Sequence, residues 1–341
     1  MHFAPALRRR GALLAAGAAA AMLCAGCGEL AARTSSGSPR PLTVAIDGKP
    51  NALYAALYEA QATGDFARGA LAVKITTPPG ADSLGALEQG AANIAVASEP
   101  QLLVARDRGA KLVAIGALVA QPLDAFVSLA RRPVNDAATL AGHTVASAGT
   151  PLATAQLDTA LAGAGVAPAS VRRLAAGANL AGALAHGHAI ATLGGPWPLE
   201  LAALEQAHRA ATVLELPAAG VPVYSGLVLV VRVGEAHYQG PLLRAFLQSL
   251  MRGAAAVTAN PGAAAATLAH VDPLLDAAFE RAALDALIAL SKTASASAPF
   301  GYQNPYAWRA FGAWMHQHGL LGDANGGGLA ITDEFLPGQG A

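Results

Sequence analysis

Leu42-Thr-Val-Ala-Ile-Asp-Gly-Lys-Pro-Asn51 runs directly into Ala52-Leu-Tyr-Ala-Ala-Leu-Tyr-Glu-Ala-Gln61. The first five residues are apolar or β-branched and read as a strand. Asp-Gly-Lys-Pro-Asn carries turn chemistry, and the decade that follows reads as a helix. A strand passing through a short turn into a helix opens a β-α-β unit. The pattern then repeats. Residues 71–76 read as a strand, 83–89 as a helix, 94–97 as a strand, 101–108 as a helix and 112–119 as a strand. Such alternation predicts an α/β fold with a mainly parallel sheet flanked by helices.

Residues 125–130 read as a strand leaving this first lobe. A second series follows, with strands at 143–148, 171–175, 189–193 and 212–216 and helices at 152–164, 180–186 and 199–210. Residues 224–233 read as a strand returning to the first lobe. From about 240 to 321 the chain reads as mostly helical, divided by Pro261, Pro273 and Pro299. The expected organisation is a first lobe of 42–125 and 231–335 and a second lobe of 126–230, joined by two hinge crossings. Clefts between lobes, at the carboxyl ends of strands, are preferred ligand sites.

The chain has 341 residues, of which 54% are hydrophobic and 13% charged, with formal net charge zero. That composition supports a buried core and gives no sign of a nucleic-acid partner, which calls for a basic surface. Both cysteines, Cys24 and Cys27, precede residue 28. No disulfide framework, thiolate metal site or cysteine nucleophile is available downstream. Arg8, Arg9 and Arg10 precede an apolar run from Gly11 to Ala25, too short to span a bilayer and suited to a secretory signal. Leu23-Cys-Ala-Gly-Cys27 resembles a bacterial lipobox. Cys24 stands where Leu is usual, and Leu23 lies one place early. The resemblance implies a signal peptide over 1–27, lipidated Cys27, and a flexible tether over 28–41. The expected location is the outer face of the cell membrane.

Several blocks resemble one family. Asp47-Gly-Lys-Pro-Asn51 with Tyr54 and Tyr58, Ser98-Glu-Pro100 with Arg106-Asp107, and Gly116-Ala-Leu-Val-Ala-Gln-Pro122 come first. Ala148-Gly-Thr-Pro151, Gly194-Gly-Pro-Trp-Pro-Leu-Glu200, Gly220-Val-Pro-Val-Tyr224 and Gly301-Tyr-Gln with Trp308 follow. In order and spacing they resemble the substrate-binding proteins of ABC importers in the thiamine-pyrimidine-precursor and nitrate/sulfonate/taurine superfamily. The formylaminopyrimidine and riboflavin-type binders are most similar. The resemblance implies a two-lobed periplasmic-binding-protein type II fold, a small-molecule ligand, a membrane permease as partner, a monomer and no cofactor. Departures fall near the implied ligand: Gly48 replaces Trp, Tyr54 replaces His, Ala56 replaces Gly and Pro198 replaces Asn.

An aminopyrimidine presents an exocyclic amine, ring nitrogens and a flat face. Glu200, or Glu99, suits the amine through a charge-assisted hydrogen bond of ~1.5–3 kcal/mol. Trp197 offers a stacking face worth ~0.5–1.5 kcal/mol beyond burial. Tyr54, Tyr58 and Tyr224 add rings and hydroxyls. Asp47 and Asn51 follow the first strand, and Thr150 and Asn179 precede helices where an anion or carbonyl would be met. Structural roles compete with each. Asp47, Asn51 and Thr150 suit helix caps. Glu99 and Glu200 suit the first turn of a helix. Trp197 suits a core or a lobe interface, and Tyr58 helix packing. His186-Gly-His188 and His316-Gln-His318 lack a converging third ligand and read as surface histidines rather than a metal site.

The implied function is capture of a small heterocycle, closure of the lobes and delivery to an importer, without catalysis. A sulfonate or nitrate-type anion is the alternative ligand. Two other roles compete: a relative of pyrimidine-synthesising enzymes, whose cysteine motif this chain lacks, and a ligand sensor acting on a membrane receptor.

Overall fold

The computed structural model describes residues 38–293, 298–323 and 330–338. The expected signal peptide, Cys27 and most of the tether lie outside the described residues. The last tether positions, Arg40 and Pro41, already belong to the first strand.

The strands are β1 Arg40–Ile46, β2 Leu71–Thr76, β3 Ile94–Ala97, β4 Leu112–Val119, β5 Ala125–Leu129, β6 Thr144–Ser147, β7 Arg172–Ala175, β8 Ala191–Leu193, β9 Ala211–Glu215 and β10 Leu227–Arg232. The earlier helices are α1 Ala55–Ala62, α2 Asp65–Arg68, α3 Ser83–Glu88, α4 Glu99–Asp107, α5 Pro151–Gly163, α6 Leu180–Ala185 and α7 Trp197–Gln206. The later ones are α8 Val233–Tyr238, α9 Gly240–Ala259, α10 Pro261–Val271, α11 Ala277–Thr293 and α12 Pro305–Gln317. Local chemistry sets several starts. Asp82 accepts from Gly85 N at 2.8 Å to open α3, and Ser98 and Gln101 form a reciprocal capping box on α4. Asn260 accepts from Ala263 N at 3.0 Å to open α10.

The strands form two five-stranded sheets of matching order, β2-β1-β3-β10-β4 and β7-β6-β8-β5-β9. In the first, β10 alone runs against its neighbours, and in the second β5 does. Both sheets are therefore mixed, each with one reversed strand, and in each the reversed strand is the one that has just crossed from the other sheet. The return strand, β10, lies within the expected 224–233. Residues 227–230, assigned from sequence to the second lobe, pair with β3 and β4 of the first sheet. Helix α7 starts earlier than expected, at Trp197, because Pro198 sits in the first turn, where no intrahelical N–H is needed.

The crossings fix where the sheets meet. The chain leaves β4 at its carboxyl end and enters β5 at Ala125, opposite Glu215 at the carboxyl end of β9. It returns to Leu227, opposite Val119 at the carboxyl end of β4. The carboxyl edges of the two sheets are thus brought together.

β3 and β5 are buried along their whole lengths, as sheet strands covered on both faces require. Phe66 stacks on Phe246 at 5.4 Å between α2 and α9. The C-terminal helices extend the core onto the second sheet's helices. α11 packs on α7, and from α12 Trp314 Nε1 donates to Thr159 Oγ1 on α5 at 3.0 Å. Both apolar clusters accordingly contain residues from both sheets. Among the described residues, no helix is long and apolar enough to cross a membrane.

Candidate functional site

β1 ends at Ile46, which sets Asp47 on the carboxyl edge of the first sheet. Its Oδ1 accepts from Ser83 N at 2.8 Å, and its Oδ2 accepts from Gln101 Nε2 at 3.0 Å. Its carbonyl accepts the Tyr54 hydroxyl at 2.7 Å. Burial, then the neighbouring Asp47 charge, push the buried Tyr54 phenol up. Asn51 caps the 3₁₀ turn Ala52–Tyr54, accepting from Leu53 N at 2.9 Å. The next amide, Ala52 N, donates to Glu280 Oε2 on α11 at 2.7 Å, a partner 228 residues away. Asp47 and Tyr54 are brought together here, largely by bonds that hold the first edge in shape.

Glu99 opens α4 at the carboxyl end of β3 and is fully buried. Its Oε2 accepts from Ser225 N at 2.7 Å, while its backbone N–H donates to Ser225 O at 3.1 Å. Oε1 has no partner. Burial pushes this carboxyl up to about 8, against the opposing pull of the Ser225 N–H. Glu99 is therefore mostly protonated at neutral pH.

The two crossings touch beside it. Gly226 N donates to Gln121 O at 3.1 Å. Tyr224 donates to Asp124 Oδ2 at 2.8 Å, and Gln156 Nε2 reaches both Asp124 Oδ2 and the Tyr224 oxygen at 3.1 Å. The Tyr224 ring stacks on Phe311 at 4.4 Å. Burial raises the Asp124 carboxyl, and burial with the Asp124 charge raises the Tyr224 phenol. On the first crossing, Leu123 O accepts the Trp197 backbone N–H at 2.9 Å. The Trp197 side chain is 6% exposed and belongs to the apolar cluster containing Leu53, Tyr54 and Leu123. Its Nε1 is buried without an acceptor.

Glu200 departs from the sequence reading as a cleft carboxylate. It is 7% exposed, and its Oε1 accepts the Thr192 hydroxyl of β8. Burial pushes it up to about 7, opposed by that hydroxyl. Its side chain points under α7 toward the sheet. Thr150 is exposed and serves as a helix cap, accepting from Ala153 N at 3.1 Å. Asn179 is exposed at the start of α6, and its side chain lies over Gly182, whose added Cβ would sit 2.1 Å from Asn179 Oδ1. These three are not gathered with the others. Nor do they, or any other candidate, line the apolar cavity of about 400 Å³ between α1, β4, α9 and α11. Asp47 borders a depression of about 430 Å³ with Asp82, Glu88, Gln101 and Arg108, all from the first sheet's side.

Some of the unpaired polar atoms belong to residues that bond the crossings. Seven buried side-chain atoms among the described residues have no hydrogen-bond partner. Three of these, Glu99 Oε1, Gln156 Oε1 and Trp197 Nε1, belong to residues bonded directly to the crossings at Ser225, at Asp124 and Tyr224, and at Leu123. Together they offer an indole donor, an amide acceptor and a carboxyl that can donate or accept. Sequence reasoning named Glu99, Trp197 and Tyr224 as candidates. It missed Asp124, Gln156, Ser225 and Glu280. Only Asp124, in the turn between two apolar strands, carries a sequence signal of its own.

The formylaminopyrimidine-binding protein of Halalkalibacterium halodurans is 28% identical over 284 residues, covering 82% of this chain and 85% of its own. The periplasmic aliphatic sulphonate binding protein SsuA of Escherichia coli superposes with a TM-score of 0.65 at 16% identity, over 87% of this chain and 99% of its own. The alkanesulfonate-binding protein SsuA of Xanthomonas axonopodis pv. citri, bound to MOPS, gives 0.61 at 20% identity, over 87% and 99%. At those identities the likeness to the solved structures is one of fold, that of periplasmic binding proteins. A family model described as NMT1/THI5 like matches residues 51–264, well over half of the sequence, and the chain belongs to the NMT1/THI5-like family.

Proposed function

We propose that this chain is the extracytoplasmic solute-binding component of an ABC importer and that it holds a small aminopyrimidine-type heterocycle where the two crossings meet the carboxyl edges. The observation that carries the site is the trio of buried, unpaired atoms on Glu99, Gln156 and Trp197. Each unpaired buried group costs ~1–3 kcal/mol, and a solute that pairs with them recovers that cost. A protonated carboxyl donates to a ring nitrogen and accepts from an adjacent exocyclic amine, which is the edge an aminopyrimidine presents. The formylaminopyrimidine-binding relative supports this ligand class. The anion alternative finds little at α5. The Thr150 hydroxyl is occupied by Ala153 N, and Pro151 supplies no N–H.

The role requires no bond to be made or broken. Residues 28–341 contain no cysteine, so the cysteine motif that the enzyme alternative calls for has no counterpart there. Delivery to a permease from a chain tethered through lipidated Cys27, as a monomer, completes the reading. The test is mass spectrometry of any solute released from the purified protein, with calorimetry using a formylaminopyrimidine and an alkanesulfonate. Saturable binding of the pyrimidine alone supports the proposal. Saturable binding of the sulfonate alone, or turnover of either compound, refutes it.

A further inference from the structure

The second sheet has another edge, away from the crossings. Because β5 is reversed, its carboxyl end lies with the amino ends of β6, β7 and β8. The backbone draws the segments together there. His143 O accepts from Arg172 N at 2.9 Å, and Thr144 O accepts from Ile190 N at 2.9 Å. The chain after β5 turns tightly, with Arg132 N donating to Leu129 O at 2.8 Å. The result is a depression of about 180 Å³ bordered by Arg131, Arg132, His143, Arg172 and His188, over a floor that includes Leu129, Leu184 and Ile190.

No acidic side chain borders this depression. None of the three arginines takes part in any of the ion pairs among the described residues. Arg132 instead approaches the His143 ring at 3.3 Å, and Arg172 Nε donates to Thr144 Oγ1 at 3.0 Å. Like charges drawn into one concavity repel, and here no carboxylate offsets them. Guanidinium groups match the paired oxygens of a phosphate bidentately, and each arginine retains N–H donors for that purpose. His188 belongs to the His-Gly-His turn that the solute-binding role leaves unused. His186 stacks on the His188 ring at 5.9 Å and bonds Gly182 O at 2.7 Å.

We infer that this amino-edge depression is a second site, one that binds a phosphate-type oxoanion through Arg131, Arg132 and Arg172. The phosphate is either a free anion or the headgroup of an anionic lipid. The site lies a strand length, ~10–13 Å, from the carboxyl edge. It is independent of the solute proposed above, so its failure would leave that reading untouched.

The test is calorimetry of the purified chain with inorganic phosphate and pyrophosphate at constant ionic strength, alongside sedimentation with phosphatidylglycerol or phosphatidylcholine vesicles. The variants are Arg132→Gln with Arg172→Gln together, and Lys74→Gln as a charge control on the exposed side of the first sheet, each checked for folding by thermal melting. Saturable binding of a free phosphate, weakened at least tenfold in the double variant and unchanged in Lys74→Gln, establishes a soluble ligand. Binding to phosphatidylglycerol vesicles alone, lost in the double variant only, establishes a headgroup. The inference is overturned by no binding in either arm, by a double variant that binds like the parent, or by an equal loss in Lys74→Gln.

Discussion

The Tyr224 hydroxyl on the return crossing donates to the Asp124 carboxylate on the outgoing crossing over 2.8 Å, so one hydrogen bond ties together the two strands of chain that join the sheets. Tyr224→Phe keeps the ring against Phe311 and removes this tie together with the bond that the Tyr224 oxygen accepts from Gln156 Nε2. At a net ~0.5–1.5 kcal/mol each, the two bonds contribute ~1–3 kcal/mol. At ~2.1 cal/mol/K per residue, a chain of this size shifts by ~1.5 °C per kcal/mol, and Tm should fall by about 2–5 °C. A melting curve superimposable on the parent's would show that the tie contributes nothing.

The pH dependence of stability has a definite sign. Glu99 titrates near 8 in the folded chain against 4.5 for an ordinary glutamate, and Glu200 near 7. The folded state therefore keeps protons that the unfolded chain releases. Their contribution is complete below pH ~4.5 and is lost as pH climbs toward 8. Each such proton gives a slope of ~1.4 kcal/mol per pH unit within its window. Urea melts from pH 5 to 8 should show Glu99→Gln losing one proton's share of that slope, most clearly between 7 and 8 where Glu200 no longer contributes. A slope identical to the parent's would place Glu99 in an ordinary, solvated state.

Trp197→Phe separates ligand contact from packing. A smaller ring stays in the apolar cluster while the Nε1–H disappears, and in the free protein that donor has no partner to lose. Tm should fall for the volume left empty, while solute affinity falls about tenfold, or ~1.4 kcal/mol. Calorimetry and melting on the same sample read both. Equal affinity for parent and variant would take the indole out of the site.

Gly253 on α9 lies against α1. A Cβ there would sit 2.3 Å from Ala56 O and 2.7 Å from Ala60 Cβ, on backbone and side-chain atoms with no room to yield. Gly253→Ala gains ~1 kcal/mol of helix propensity but incurs an overpacking cost of ~1–3 kcal/mol, rising where backbone must shift. The clash should prevail and lower the urea midpoint. A raised midpoint would mean that α1 and α9 part without cost.

β3 and β4 were legible because buried strands demand short apolar runs, and both fall where such runs stand. The edge strand β2 was legible in spite of its exposed Ala72 and Lys74. Strand direction was not legible. β5 and β10 are composed like the others, and only the route of the chain reverses them. Periodicity places Glu200 in a helix beginning at 199, leaving Trp197 ahead of it. It cannot say that β8 lies beneath, where Thr192 claims the carboxylate. Gln156 is a lone amide in an alanine-rich helix, and its partners come from 32 and 68 residues away. Helix caps competed successfully for Asn51 and Thr150, since a nearby amide is always within reach of such a side chain.

The position of β10 between β3 and β4 sets an order of assembly. All five strands of the second sheet lie within residues 125–215, a contiguous length of chain. The first sheet stays split down its middle until residue 232 has emerged, with β3 and β4 each lacking a neighbour. During synthesis or export, the middle of the chain can complete its strand pairing while the first sheet waits for a strand that arrives more than a hundred residues behind β4.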